Sequence, residues 1–144
     1  MQVAVRTKHV LLTAITVALL VPAGASTAGS ALKTPAIKLK DKTFGLILAR
    51  PDHQALYYWN VEKKAGGKVR CVGACVAAWP PLLVKSAKAV PKKVAGIKGT
   101  FGVVRRPGGK LQVTYNRLPV YTYAHEGPDQ VLCDNVNGWF VVRL

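Results

Sequence analysis

Two short stretches of the chain, residues 56–62 and 120–126, share one pattern of aromatic and polar positions. Each contains a tyrosine, a second aromatic residue two positions later and a glutamate three positions after that. These positions are Tyr57, Trp59 and Glu62 in the first stretch and Tyr121, Tyr123 and Glu126 in the second. Because successive side chains of a strand point to opposite faces, the two aromatic residues of each stretch share a face. The pattern predicts two aromatic strands that each end at a carboxylate.

Apolar runs and turn residues predict hairpins around both stretches. In the first half, the apolar run at residues 44–49 is followed by an Arg-Pro-Asp-His turn and then by the aromatic stretch. In the second half, residues 101–104 repeat the Phe-Gly-apolar pattern, and residues 111–116 alternate between apolar and polar after a Pro-Gly-Gly turn. Two such runs joined by a turn favour a β-hairpin. A second turn then leads to a further strand, predicted at residues 120–123, and the chain closes with a strand-like segment at residues 138–144.

Residues 69–79 are rich in alanine and valine, and their cysteines and tryptophan recur every four positions. That spacing favours one stripe of a short helix, which two consecutive prolines would end because proline cannot donate the next backbone hydrogen bond. The residues of this pattern are Cys71, Cys75, Trp79, Pro80 and Pro81. In the second half, Trp139 takes the place of Trp79.

These matches predict a mostly β protein: a small antiparallel β domain built from two repeats of about forty residues, with one short helix in the first repeat. We assign the domain to residues 44–144, with repeat A at 44–84, a linker at 85–100 and repeat B at 101–144. A short repeat rarely buries its apolar face alone, so the two copies are expected to share one core. Residues 26–43 are small, polar and basic, and are predicted to form a flexible leader with order beginning at Phe44.

The amino terminus has the features of a secretory signal peptide. Arg6 and Lys8 precede an apolar run at residues 10–21, and the small residues 23–25 suit cleavage after Ala25. We therefore predict a signal at residues 1–25 and an exported, periplasmic or secreted protein with no integral membrane segment after cleavage. No cysteine follows the apolar run, which disfavours a bacterial lipid anchor at this point.

The net positive charge of the chain predicts that a partner would be anionic, but does not identify it. The chain has a formal net charge of +15, which favours anionic partners such as lipid head groups or acidic envelope polymers, with binding that weakens as salt rises. The lysines are scattered rather than set on one periodic face, which favours the interpretation that they only keep a small secreted protein soluble. If the charge does bind a partner, an anionic envelope component is expected and nucleic acid is not. The sequence does not fix the oligomeric state.

The cysteines predict an oxidised pair. In an exported protein, nearby cysteines favour a disulfide, and Cys71 and Cys75 are close enough on a helix to form one. The alternative is a bridge from either of them to Cys133, which would join the two copies. A thiolate metal site that adds His53 or His125 is a further alternative, but the spacing matches no zinc pattern and no haem-attachment motif is present.

No catalytic residue and no cofactor site is predicted. There is no serine in an elbow motif and no partnered Cys–His arrangement, and both histidines are interpreted as exposed loop residues. The two glutamates could act as a carboxylate pair, but acceptors for loop amides or a tyrosine hydroxyl are the favoured interpretation. The alternating aromatic residues could stack on sugars or bases, but core packing and cross-strand pairs are favoured.

Several of these segments together resemble the family described as "secreted repeat of unknown function", predicted envelope lipoproteins with a Tyr-x-[Phe/Trp/Tyr]-x-x-Asp motif. The resemblance covers residues 44–144, and its most specific block is the segment from Cys71 to Leu82, with its two cysteines and its Trp-Pro-Pro. The other matching segments are residues 56–59, 112–116, 119–121 and 138–139. The chain departs from the pattern in having Glu62 and Glu126 at the aspartate positions and no lipid-anchoring cysteine. The resemblance implies a fold and a compartment rather than an activity.

Two functions from different classes are therefore expected. The first is a non-enzymatic envelope protein that acts as a binding or interaction module for an anionic partner. The second is a thiol-linked or metal-linked redox protein that uses Cys71 and Cys75.

Overall fold

The computed structural model describes residues 34–144, which form a mostly β domain of small antiparallel sheets. The strands are β1 Ile37–Asp41, β2 Gly45–Ala49, β3 Tyr57–Trp59, β4 Leu83–Val84, β5 Phe101–Arg105, β6 Leu111–Tyr115, β7 Leu118–Pro119 and β8 Trp139–Val141. The helices are α1 Asn60–Lys64 and α2 Cys75–Ala78, with one 3-10 turn at Ala87–Ala89. Within this part of the chain, no helix has both the length and the apolar character needed to cross a membrane. The predicted mostly β class, with small antiparallel sheets, is confirmed.

The strands form three antiparallel sheets. Strand β1 pairs with β2, and β3 pairs with β8 near the carboxyl terminus. In the third sheet β6 lies between β4 and β5 and also pairs with β7. The predicted hairpin of the second half is present as β5 and β6, and its following turn has the left-handed residues Asn116 (φ 47°) and Arg117 (φ 69°), which lead directly into β7.

Three predictions about local structure are wrong. Order begins before Phe44, because residues 37–41 of the predicted leader form β1; they alternate between half-buried and exposed side chains, as an edge strand does. The predicted helix at residues 69–79 is reduced to the single turn of α2, since Gly73 adopts a left-handed φ of 59°. A second helix, α1, which was not predicted, follows Trp59 directly. The segment assigned as the flexible leader also includes residues 26–33, which lie outside the described residues, as does the predicted signal peptide.

The pairing of the first aromatic strand also differs from the prediction. Only Ala49 and Ala55 form a bridge across the predicted hairpin turn, and β3 continues instead along β8. The predicted strand at residues 120–123 contributes isolated bridges at Tyr121 rather than a ladder. The predicted linker at 85–100 packs into the core through Val90 and Ile97, which are both buried.

Two apolar clusters form the core, one on each side of the central strands. Leu56 and Val120 belong to the first cluster, whereas their neighbours Tyr57 and Tyr121 belong to the second. This division follows from strand geometry, because adjacent side chains point to opposite faces. Both clusters contain residues from the segments 34–84 and 101–144, hereafter the first and second halves, so the two halves share one core.

The backbone joins the two halves through reciprocal hydrogen bonds. The Tyr57 amide donates to the Tyr121 carbonyl at 2.8 Å, and the Tyr121 amide donates back to the Tyr57 carbonyl at 3.0 Å. One residue earlier, the Leu56 carbonyl accepts a bond from Val142, and the Val120 carbonyl accepts one from Leu82. These bonds place the two aromatic stretches side by side at the centre of the domain.

Candidate functional site

Two buried tyrosine–glutamate pairs cross between the halves at this centre. The Tyr57 hydroxyl donates to Glu126 Oε2 at 2.5 Å, and the Tyr121 hydroxyl donates to Glu62 Oε1 at 2.7 Å. Each tyrosine thus bonds to the glutamate of the other stretch, and all four side chains are buried. Burial, reinforced by the neighbouring carboxylate, raises the pKa of both phenols above their ordinary value, so each remains a hydrogen-bond donor.

A positive charge accompanies only one of the two pairs. Glu62 Oε1 accepts bonds from the Arg70 amide at 2.7 Å and the Cys71 amide at 3.1 Å. The buried guanidinium of Arg106 lies on the other side of Tyr121, with its Nη1 at 3.3 Å from the phenol oxygen. Glu62, Tyr121 and Arg106 therefore form a buried charge pair bridged by a hydroxyl group.

Arg106 has the polar partners that a buried charge requires. Besides the phenol, Nη1 donates to Gln112 Oε1 at 2.5 Å and Nη2 donates to the Cys71 carbonyl at 2.5 Å. Gln112 in turn donates to the Val120 carbonyl at 2.9 Å. This network stabilises the guanidinium away from water and fixes the disulfide loop against β6.

Glu126 lacks such a counter-charge. Its Oε2 accepts one hydrogen bond from the Tyr57 hydroxyl and one from the Leu132 amide, the latter at 2.9 Å. The second oxygen of each glutamate, Glu126 Oε1 and Glu62 Oε2, has no hydrogen-bond partner among residues 34–144. Burial raises the pKa of this carboxyl group above its ordinary value. The two pairs have the same connectivity but different electrostatics.

Four aromatic rings form a continuous stack beside the two pairs, which we call the aromatic column. Its order is Trp59, Trp139, Trp79 and Tyr123, with ring centroids 5.3, 3.9 and 4.9 Å apart. The three indoles are nearly parallel, with interplanar angles of 4° and 8°. The central tryptophans are buried and the two end rings are half-buried. The motif aromatics thus pack in the core, as does each of the predicted structural tryptophans.

The cysteines are divided between a bridge and a buried thiol. Cys71 and Cys75 form a disulfide with a Cα–Cα distance of 5.3 Å, which confirms the predicted pair. Cys133 is a free, buried thiol beside Tyr123, and burial raises the pKa of this thiol. The alternative bridges to Cys133 are excluded by this pairing.

His53 and His125 make separate contacts. His53 Nδ1 lies 2.9 Å from Asp129 Oδ1 in an exposed loop contact, and His125 is exposed with its ring against Tyr123. Within residues 34–144, no three Cys, His, Asp or Glu side chains are grouped so that they could hold a metal ion. The glutamates are separated by their tyrosines and accept bonds from loop amides, the role favoured for them from the sequence.

A basic and apolar groove lies on the surface next to the disulfide loop. It consists of two adjoining cavities of about 470 and 700 Å³ that share Leu83 and Lys110. The cavities are lined by the basic residues Lys85, Arg105, Arg106 and Lys110 and by the apolar residues Val72, Val76, Pro80, Pro81, Val84 and Leu111. No acidic side chain lines this groove, and the salt bridges formed among residues 34–144 involve none of its three exposed basic residues. Arg106 is buried beneath the groove and is already bonded to Tyr121, Gln112 and Cys71.

Two large apolar side chains are exposed in this groove. Val72 is 47% exposed on the disulfide loop, and Leu83 is 41% exposed on β4, which is an edge strand. The Trp-Pro-Pro segment supplies part of the groove floor through Pro80 and Pro81. A surface with both features suits a ligand that carries a negative group and an apolar part.

Sequence reasoning missed Arg106 and the groove. Arginine in a Pro-Gly-Gly turn is normally exposed, and no local pattern indicates that this one folds inward to reach Tyr121. The groove joins the disulfide loop to the β5–β6 turn, which are separated by some thirty residues of sequence. No periodic signal connects them.

Comparison with known proteins adds nothing to this geometry. No protein-family model matches the chain, and neither a curated protein nor a solved structure matches it. The assignment of a function therefore depends on the contacts within residues 34–144.

Proposed function

We propose that this is an exported, non-enzymatic binding module that holds an anionic envelope lipid in the basic and apolar groove. The observation that carries the proposal is the composition of the groove, which has three exposed basic side chains, no acidic one and two exposed apolar side chains. The net charge of +15 would draw the protein towards an anionic surface.

The mixture of exposed basic and apolar side chains in the groove supports a lipid as the ligand over a soluble acidic polymer. Lys85, Arg105 and Lys110 are exposed and would meet a phosphate, while Leu83 and Val72 would contact the first methylene groups of an acyl chain. Apolar burial adds about 25 cal/mol for each Å² removed from water, a contribution that a purely polar polymer would not provide.

Export is proposed from the signal-like amino terminus and from the disulfide. A disulfide is typical of oxidising compartments outside the cytoplasm. The resemblance to the secreted repeat family points to the same compartment and remains a prediction.

We also propose that the two halves are copies of one unit, residues 37–84 and 101–144. Matched contacts support this: Tyr57 and Tyr121 exchange backbone bonds, and each donates its hydroxyl to the glutamate of the other half. Each tyrosine also meets a tryptophan of its own half edge-on, Tyr57 with Trp79 at 5.3 Å and Tyr121 with Trp139 at 5.1 Å. Each half also begins with an antiparallel hairpin, β1–β2 or β5–β6, so the proposed first copy extends backwards from residue 44 to include β1.

The thiol-redox alternative has weaker support. Cys71 is completely buried, and its backbone carbonyl and amide bond to Arg106 and Glu62. Attack on the disulfide would therefore have to occur at Cys75, which is half-buried. No observation in residues 34–144 favours a metal-linked function.

Vesicle co-sedimentation tests the lipid proposal. We expect the protein to bind vesicles of phosphatidylglycerol mixed with phosphatidylcholine at low salt and not to bind pure phosphatidylcholine. Lys110→Glu should abolish most of this binding, whereas Lys98→Glu, which makes the same charge change outside the groove, should retain it.

A second matched pair tests the apolar part. Leu83→Asp should weaken binding at a salt concentration that screens long-range attraction, and Leu132→Asp, an exposed leucine outside the groove, should not. Equal losses for Lys110→Glu and Lys98→Glu would show that only net charge matters, and no binding at low salt would refute the proposal.

A further inference from the structure

Strand β5 contains a glycine that its backbone conformation does not require. Gly102 lies opposite Thr114 of β6, and its φ lies outside the left-handed region, so other residues could adopt this conformation. Gly45, at the matching position of the first half, has a φ of 75°. Glycine within a strand is unfavourable because it has more conformational freedom to lose on folding, and it often marks a site that a ligand approaches closely. The role of Gly102 therefore lies in the space that it leaves open.

A buried hydroxyl group lies next to this open space. Thr114 is only 7% exposed, and a Cβ added at residue 102 would lie 3.2 Å from Thr114 Oγ1. The buried hydroxyls of Tyr57 and Thr122 donate to protein acceptors, whereas that of Thr114 makes no hydrogen bond to another group of residues 34–144. An unpaired buried polar group is unfavourable, so a molecule that bonds to this hydroxyl gains affinity from it.

Gly102 and Thr114 both line a surface cavity of about 460 Å³, which we call the threonine cavity. No acidic side chain lines it, and its two basic residues, Lys68 and Arg117, are exposed. Neither takes part in the salt bridges formed among residues 34–144. The threonine cavity is therefore electropositive. Its remaining lining residues are Gly66, Gly67, Val103 and Val104.

Close backbone packing brings the two basic residues of the cavity together. Gly67 is buried against the Arg117 carbonyl and has no room for a Cβ. Because Lys68 follows Gly67 directly, the loop after α1 and the turn between β6 and β7 place both cations at one cavity. Two neighbouring cations favour a ligand group with a negative charge.

We propose that the threonine cavity binds a small soluble sugar that carries one anionic group. Lys68 and Arg117 meet the carboxylate or phosphate of the sugar, and the Thr114 hydroxyl bonds to one of its ring hydroxyls. Gly102 and the half-buried Val104, which share a face of β5, accept the apolar side of the ring. The cavity volume suits such a molecule, since small-molecule sites have volumes of about 300–1,000 Å³. The cavity shares no lining residue with the basic and apolar groove, so this binding is independent of the lipid proposal.

Titration with three sugars, followed by two-dimensional NMR of the isotope-labelled protein in phosphate-free buffer, tests this proposal. The probes are glucuronate, glucose 6-phosphate and glucose, which share a ring and differ in the charged group. We expect at least one charged sugar to bind and to shift the amide signals of Gly102 and Thr114, and glucose to bind at least about ten-fold more weakly. The comparison of the two charged sugars identifies the preferred anionic group. Binding of neither charged sugar, or equal binding of glucose, would overturn the proposal.

Thr114→Val tests the hydroxyl because valine has nearly the same shape. It should weaken binding of the charged sugar by about ten-fold and should not lower the urea midpoint of unfolding, since this hydroxyl has no partner to lose among residues 34–144. Thr122→Val is the matched control. It also removes a buried hydroxyl, one that bonds to the Pro80 carbonyl at 3.4 Å, and it should lower the midpoint but retain binding. Retention of full binding by Thr114→Val would overturn the proposal.

Two further variants test the glycine and the charge. Gly102→Ala places a methyl group over the Thr114 hydroxyl and should weaken binding in a variant whose circular dichroism shows that it folds. Lys68→Gln should weaken binding at low salt, whereas Lys98→Gln, which removes an exposed lysine outside the cavity, should not. Full binding by a folded Gly102→Ala, or equal losses in the two lysine variants, would also overturn the proposal. Lys110→Glu, which tests the lipid groove, should retain sugar binding, so the two proposals can fail separately.

Discussion

The two buried glutamates should respond differently to the same change, because only Glu62 has a nearby cation. In Glu62→Gln, three hydrogen bonds lose their charge assistance and the buried Arg106 loses its counter-charge. Hydrogen bonds to charged groups contribute about 1.5–3 kcal/mol, so we expect the free energy of unfolding to fall by about 2–3 kcal/mol at pH 7. A domain with a total of about 5–15 kcal/mol would remain folded.

Glu126→Gln should cost little at pH 7. The substitution keeps an acceptor for the Tyr57 hydroxyl and the Leu132 amide, and it removes a buried negative charge that has no compensating cation. The loss of charge assistance and the relief of desolvation then act in opposite directions. We expect a variant within about 1 kcal/mol of the wild type, since charge assistance contributes roughly that much to a hydrogen bond.

The stability difference between Glu126→Gln and the wild type should change with pH in a defined direction. Burial raises the pKa of Glu126 in the folded state above the ordinary 4.5, so folding favours the protonated group. The stability that Glu126 contributes is fully present below about pH 4.5 and is lost as pH rises through the folded pKa; each unit of raised pKa corresponds to about 1.4 kcal/mol. Relative to the wild type, Glu126→Gln should therefore be least stable at acid pH and improve as pH rises to 7.

Urea unfolding followed by circular dichroism between pH 4 and pH 8 measures both effects. Equal m-values would show that the variants unfold between the same two states, and the midpoints then report stability alone. Equal destabilisation of the two variants at pH 7, or a Glu126→Gln difference that does not change with pH, would refute the electrostatic distinction between the pairs.

Two further predictions concern two glycine substitutions and the reactivity of the Cys133 thiol. Gly67→Ala should destabilise the domain by about 1–3 kcal/mol more than Gly66→Ala. Both glycines have a positive φ, but only at Gly67 would the new Cβ meet a backbone atom, the Arg117 carbonyl oxygen at 2.3 Å. Thermal unfolding of the two variants measures the difference, and equal losses of stability would contradict the prediction. Thiol titration of native protein should find one slowly reacting group, Cys133, and full reaction only in denaturant, whereas fast reaction in the native state would show that this thiol is not buried.

Short-range patterns predicted part of this structure correctly. The alternation at residues 111–116 and the preceding Pro-Gly-Gly turn predicted β6 and its hairpin, since both depend only on neighbouring residues. Cys71 and Cys75 are similarly close in sequence, and their bridge was predicted. The matching Tyr and Glu positions of the two stretches are also the side chains that meet at the centre of the domain.

Long-range contacts account for the errors. Strand β3 pairs with β8 rather than with β2, and this choice is decided by the shared core, which no local pattern encodes. The alternation of Ile37 and Leu39 with lysines in β1 was a usable signal, but the lysines made the segment look like a solvated leader. The inward orientation of Arg106 depends on Glu62 and Gln112, and only the folded structure brings these residues together.

The pairing of β3 with β8 has a consequence for the order of folding. Tyr57 pairs with Val141, so the first half cannot complete its sheet until residues 139–141 have been synthesised. Contacts between residues so distant in sequence slow folding, because a large loop must close before they form. A nascent chain, or one truncated before Trp139, will therefore expose its aromatic residues to whatever chaperone or protease it meets.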